Sequence, residues 1–179
     1  SNQPDALAAE RLLAIKLSTS FTSDVGVTYR QRVEGLGFKA GNLRDFLDRW
    51  GDHYQFMIVL DADSLMSAQA MLRLVRVMQA NPVIGILQSL VTALPSSSAF
   101  TRIFQFGMRL GMRSWTIGSA WWQGDCGPYW GHNAILRVKP FKDYCQLPVI
   151  PGRSSLAGYV LSHDQLEAVL MRRAGYQVC

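Results

Sequence analysis

No Cys-x-x-Cys pair occurs in this chain, and its three cysteines, Cys126, Cys145 and Cys179, are odd in number and far apart. That pattern excludes a zinc ribbon and gives no basis for a disulfide framework, so a reducing environment is expected. Long apolar runs are also lacking. No window reaches the roughly 18 or more continuous apolar residues of a membrane span, and the nearest, Val83 to Leu94, is broken by Gln88, Ser89 and Thr92. Ser1 to Ala9 is polar and acidic where a secretory signal would be basic and then apolar. Lys and Arg are scattered, with no long basic run, so nucleic acid is not an expected partner. Internal repeats and low-complexity segments are absent as well.

What is present is a folding sequence. Of 179 residues, 49% are apolar and 11% aromatic, which suits one domain with a real core and argues against disorder. The net charge of +5 is mild and compatible with an acidic ligand such as a nucleoside diphosphate. Ser1 and Cys179 read as cut ends, so the chain is expected to be an excerpt of a larger protein, truncated at both ends.

Periodicity predicts a helix over Asp5–Lys16, a strand at Val25–Tyr29, a helix over Ala40–Trp50 stopped by Gly51, and a strand at Phe56–Leu60. Ser67 is expected to cap a helix that runs to Ala80 and stops at Asn81-Pro82, before a strand at Val83–Leu87. Phe100–Ile117 has helical spacing, Trp121–Pro128 reads as irregular, and Tyr129–Val138 reads as a strand. Pro140 is expected to begin a short helix, and Leu147–Gly158 to be a loop. Ser162 would cap a last helix to Ala174, with an incipient strand before Cys179. The Phe56–Leu60 run is continuous and apolar, as in strands covered on both faces. The expected architecture is therefore a single α/β domain over residues 1–179, with a mostly parallel sheet flanked by helices.

Four constellations could carry chemistry. The first is Asp61-Ala62-Asp63, straight after a strand pattern. In open α/β sheets ligands bind beyond the carboxyl ends of strands, and two carboxylates one residue apart can approach a hard divalent cation. The plainer reading has one Asp capping the next helix and the other merely exposed. The second is Lys39-Ala40-Gly41-Asn42 at a helix start, where free amides favour anions, although an ordinary loop-to-helix junction looks the same. The third is Ser162-His163-Asp164, in which Asp164 could be a general base and His163 its neighbour or a ligand binder; Ser and Asp are equally ordinary first-turn residues. The fourth is Tyr129-Trp130-Gly131-His132-Asn133-Ala134, preceded by Trp121 and Trp122. Aromatics beside Gly, His and Asn suit a sugar pocket; a core strand with a satisfied His is the bland alternative.

In this order the four segments resemble processive family 2 glycosyltransferases of the GT-A fold, and within them the branch that builds osmoregulated periplasmic glucans. Supporting stretches include Lys39 to Asp45, Met57 to Met66, Asn81-Pro82 with Gln88, Tyr129 to Arg137, and Pro151-Gly152-Arg153 through Arg173. The resemblance covers roughly residues 29 to 178. It implies that Lys39 and Asn42 lie near uridine diphosphate, that Asp61 contacts the nucleotide, and that Asp63 holds Mg²⁺ or Mn²⁺ on the diphosphate with Asp61 beside it. Trp130, Gly131, His132, Asn133 and His163 would line the sugar and acceptor pocket, and Asp164 would take the position of the catalytic base. The implied reaction is metal-dependent, inverting transfer of glucose from UDP-glucose to a growing β-glucan. The implied setting is the cytoplasmic face of the bacterial inner membrane, with membrane contact made by segments outside this chain and the excerpt itself soluble.

Two departures stand out. The family's Gln-x-x-Arg-Trp motif is absent, since Phe46 stands where Gln would precede Arg49-Trp50 and that pair lies upstream. The first nucleotide-binding strand is also missing, with Asn2 where the family has Asp, so the excerpt is expected to bind donor weakly and to be inactive by itself. Two rivals remain: a non-catalytic nucleotide- or sugar-binding module of glycosyltransferase type, and a haloacid-dehalogenase-like phosphotransferase. The latter needs a later strand ending in an acidic pair, and Gly124-Asp125 does not follow a strand. Finally, Phe100–Ile117 carries Arg102, Arg109 and Arg113 among large apolar residues. It is expected to pack against the sheet, with a place on a membrane surface as the alternative.

Overall fold

The computed structural model describes residues 3–21, 25–32, 34–127, 129–152 and 157–179. Two compact units are present, Ser1–Leu36 and Gly37–Cys179.

In the first unit, Pro4 opens helix α1 (Pro4–Ser20), where its missing N–H costs nothing. The helix outruns the expected Asp5–Lys16, and none of its residues is buried. Val25 to Tyr29 is not a strand, although its alternation predicted one. Alternation sets side-chain direction only; a strand also needs a neighbouring edge to take its backbone groups, and this segment pairs with none among the described residues. Side chains tie the stretch to α1 instead: Tyr29 Oη donates to Glu10 Oε2 at 3.3 Å, and Arg11 Nη2 donates to Gln31 Oε1 at 2.7 Å.

The second unit runs α2 (Phe38–Trp50), a 3₁₀ turn at Gly51–His53, β1 (Phe56–Val59), α3 (Ala68–Ala80), β2 (Ile84–Gln88), α4 (Ala99–Gln123), β3 (Ala134–Arg137), α5 (Val138–Tyr144), β4 (Val149–Ile150), β5 (Gly158–Tyr159), α6 (His163–Arg173) and β6 (Gln177–Val178). The main sheet has the order β1-β3-β2-β6, while β4 and β5 form a separate antiparallel pair inside the stretch expected to be a loop.

The expectation of a mostly parallel sheet fails. β3 lies between β1 and β2 and runs antiparallel to both; only β2 and β6 pair in parallel. Continuous apolar strands reflect burial on both faces, and a reversed central strand is buried in the same way, so the pattern carries no direction. β3 is also shorter than expected, because Tyr129 to Asn133 approaches it as an irregular segment.

Both faces of the sheet are covered. Met57, Val59, Ile86, Ala134, Leu136 and Val178 pack with Leu47 of α2, Phe141 of α5 and Met171 of α6. On the other side Ile84 and Ile135 meet Leu74 and Met78 of α3. Each such fully buried aliphatic side chain contributes about 1.5–3 kcal/mol. The β2–β6 register shifts between Ile84 and Ile86. At Gly85, between them, an added Cβ would lie 2.2 Å from Met171 Cε and 2.8 Å from Tyr176 Cβ, so only glycine admits α6 this close. Arg137 stitches α3 to the sheet: its guanidinium donates to Met78 O at 2.9 Å and Ile84 O at 3.2 Å, and lies 5.1 Å from the Phe56 ring centroid.

With both faces taken, α4 does not pack against the sheet as expected. Only Gln105 of its 25 residues is buried. The helix also continues through Trp121 and Trp122, which were expected to be irregular. No helix among the described residues is long and apolar enough to cross a membrane.

Candidate active site

β1 delivers Asp61 two residues beyond its end, and the chain then turns sharply, with Ser64 N donating to Asp61 O at 3.0 Å. The turn separates the two carboxylates. Asp61 faces inward and pairs with Lys39, whereas Asp63 stands at the turn's corner, exposed and without a side-chain partner among the described residues. Neither Asp caps α3; Ser67 does, its Oγ accepting from Ala70 N at 3.2 Å. Lys39 reaches Asp61 from the first turn of α2, and Asn42 lies one turn further on, exposed. The left-handed Gly37 (φ 70°) starts that helix.

The segment before β3 forms the second wall. Gly131 (φ 75°) and Asn133 (φ 51°) adopt left-handed conformations, which makes Tyr129–Asn133 a tight turn and not a strand. Asn133 is overdetermined. Its N donates to Val59 O at 2.7 Å, its Nδ2 donates to Ser64 Oγ at 3.1 Å, and its O accepts from Ser89 N at 3.1 Å. Asn133 Nδ2 also lies 2.8 Å from His132 Nδ1. Gln88, at the end of β2, clamps the same turn: its Oε1 accepts from Trp130 N and its Nε2 donates to His132 O, both at 3.0 Å. Such a network holds a strained conformation that an isolated turn would abandon.

α6 closes the arrangement. Ser162 occupies its N-cap position, but the hydroxyl makes no capping bond. An added Cβ on Gly131 would lie 3.2 Å from His163 Cε1 and 3.4 Å from Asp164 Cβ, so the turn rests directly on the start of this helix. Asp164, half-buried in the first turn, benefits from the helix dipole. His163 is buried, with Nδ1 held 2.9 Å from Glu167 Oε2. That hydrogen bond holds the His163 pKa above its ordinary value, with the nearby Asp164 adding and Lys39 opposing. Burial raises the Glu167 carboxyl in turn. Tyr129 is fully buried among these groups, its Oη has no hydrogen-bond partner among the described residues, and desolvation together with Glu167 and Asp164 pushes its pKa well up.

An ion pair and hydrogen bonds thus link Lys39, Asp61, Ser64 and Asn133, and Gly131, two residues before Asn133, brings the same turn close to Asp164. Alongside it lies a cleft of about 570 Å³ lined by Asp61, Asp63, Ser64, Ser89, His132 and Asn133, with Val91 to Leu94 along one wall. Trp121 and Trp122 are not in it; they stand 83% and 84% exposed at the end of α4. Sequence reasoning gave no role to Gln88, Ser64 or Glu167. Glu167 left a readable trace, since it shares the buried stripe His163–Glu167–Met171 at helical spacing, where an unpaired charge would be costly.

Comparison with known proteins gives these residues a family. Residues 56–156 match the family described as Glycosyl transferase family group 2. Over 178 residues the chain is 44% identical to the glucans biosynthesis glucosyltransferase H of Pectobacterium carotovorum subsp. carotovorum (strain PC1), 45% to that of Dickeya dadantii (strain 3937) and 43% to that of Pseudomonas aeruginosa (strain LESB58). These alignments take in 99% of this chain and 21% of each relative, so the chain spans about a fifth of the length of the curated relatives it matches. No solved structure matches it. The family match overturns the haloacid-dehalogenase-like reading. The chain belongs to the glycosyl transferase group 2 family.

Proposed function

We propose that this chain supplies the donor side and the base of a glucosyltransferase that moves glucose from UDP-glucose to a growing β-glucan with inversion. The observation that carries the reading is the linked set from Lys39 and Asp61 through Ser64 and Asn133 to the Gly131 turn against Asp164, because it connects a phosphate-binding type of cation, a strand-end carboxylate and a helix-start carboxylate. The relatives' printed name supports glucose and glucan; the UDP carrier rests on the motif resemblance.

Lys39 and Asn42 would meet the diphosphate from the start of α2, where the helix amides favour anions. Asp63 is the exposed carboxylate that would hold a divalent cation, with Asp61, paired with Lys39, beside it. Among the described residues no cluster of three metal-ligating side chains exists. A hard cation such as Mg²⁺ or Mn²⁺ takes one or two carboxylates and completes its shell with phosphate oxygens and water. Such a cation would offset charge on the departing diphosphate. The acceptor hydroxyl, lodged at the Trp130-Gly131-His132-Asn133 turn, attacks the anomeric carbon as Asp164 takes its proton. The carbon–oxygen bond to UDP breaks on the opposite side, so an α-linked donor gives a β-linked product. The reaction belongs to the whole protein, at the cytoplasmic face of the inner membrane, with membrane contact through segments outside this chain.

The test uses the full-length protein with radiolabelled UDP-glucose. Asp164→Asn is expected to lower glucan synthesis about 10²–10⁴-fold while donor binding persists. Asp63→Ala is expected to abolish the Mn²⁺ dependence of donor binding, read by calorimetry. Wild-type rates in Asp164→Asn would overturn the assignment of the base. Donor binding without transfer by the unaltered protein would leave only a binding module.

A further inference from the structure

Behind Asp164 lies a pair of buried ionisable side chains that the reaction above leaves unused. Glu167 is 2% exposed, a carboxylate inside the core, and its one charged hydrogen-bond partner is His163 Nδ1 at 2.9 Å. The other ring nitrogen, His163 Nε2, makes no hydrogen bond among the described residues. It borders Gly131, where the absent side chain leaves the ring edge against the turn: an added Cβ would come within 3.4 Å of Nε2. One nitrogen is therefore anchored from behind, and the other lies beside the Gly131 turn, which also borders Asp164.

We propose that Glu167 is a positioning residue that fixes the His163 ring, so that Nε2 donates a hydrogen bond to a hydroxyl of the acceptor sugar beside Asp164. The inference rests on the reading of Asp164 as the base. A ring that gives its Nδ1 proton to Glu167 has a proton on Nε2 only as the imidazolium; once neutral, Nε2 can only accept. Acceptor binding therefore weakens as pH rises through the His163 titration. The groups facing the pair are Asp164 on the same helix, Lys39 of α2, Tyr129 before β3, and Cys145 after α5, whose Sγ lies 3.5 Å from Glu167 O. The bond to Glu167 raises the His163 pKa, which extends the donating form to higher pH.

The experiment measures initial rates of the full-length protein against short β-glucan oligosaccharides from pH 6 to pH 9, with UDP-glucose saturating. For the unaltered protein KM for the oligosaccharide is expected to rise with pH. In Glu167→Gln that rise moves to lower pH, so that at pH 8 KM is about tenfold higher, with kcat and donor KM little changed. His163→Gln, whose amide donates at every pH, gives a KM independent of pH. Should Glu167→Gln fail to fold, the comparison of His163→Gln with the unaltered protein decides. A flat acceptor KM in the unaltered protein, or unchanged profiles in the variants, overturns the proposal even while Asp164→Asn remains inactive. Full transfer by Asp164→Asn instead removes the base assignment, and the proposal with it.

Discussion

At Gly131 the backbone sits at φ 75°, and the nearest atoms to an added Cβ belong to His163 and Asp164. Two penalties attach to alanine there: about 1–2 kcal/mol for the left-handed conformation, and displacement of the His163 ring. Gly175 (φ 89°) separates them, since nothing lies within 4 Å of its added Cβ. Both Gly131→Ala and Gly175→Ala are expected to lower the denaturation midpoint measured in urea, Gly131→Ala by more because it also displaces the His163 ring. Only Gly131→Ala should also depress glucan synthesis by the full-length protein. Equal activity in the two variants would show that the turn does not need its contact with α6.

For whole elements, α4 behaves unlike the rest. Its exposed Phe, Ile, Leu and Trp side chains make little contact with the sheet, and Arg102, Arg109 and Arg113 fall on one side of the helix by its 3.6-residue period. Replacing Trp121 and Trp122 together by Ser is expected to change unfolding free energy by less than about 0.5 kcal/mol, as for other surface substitutions. A larger loss in a urea titration would mean that the pair is buried in solution. The contrast with β1 shows what a sequence can convey. An apolar run meeting two aspartates revealed a strand end and its carboxylates, because burial and chemistry are written in residue types. The reversal of β3 was not legible, since its residues are as apolar as those of a parallel strand. Neither was the Val25–Tyr29 segment, where alternation existed without a partner edge. At the site, Lys39, Asp61 and Asp164 stood out by type and spacing. Gln88 counted only as part of the family resemblance, because the clamping role of a glutamine at a strand end has no signature until the turn comes alongside.

Across the whole molecule, His163 and Glu167 tie stability to pH. Both hold their proton more strongly folded than unfolded, His163 through its hydrogen bond to Glu167 and Glu167 through burial. A raised folded-state pKa gives stability that is complete below the unfolded value and is lost as pH rises through the folded one. The unfolded references are 4.5 for Glu167 and 6.5 for His163, so the loss begins above pH 4.5 for Glu167 and above pH 6.5 for His163. The urea midpoint is expected to fall steadily from pH 6 to pH 9, and Glu167→Gln to flatten that slope; a midpoint that climbs over this range would refute the linkage. The Asn133 turn has a different kind of consequence. Its backbone N–H and carbonyl and its side-chain amide are all committed, to β1, β2 and Ser64. A loop so fully engaged has little room to drift under selection. On the proposed function, changes in acceptor preference should therefore accumulate from Val91 to Leu94, which line the cleft outside the strands of the sheet.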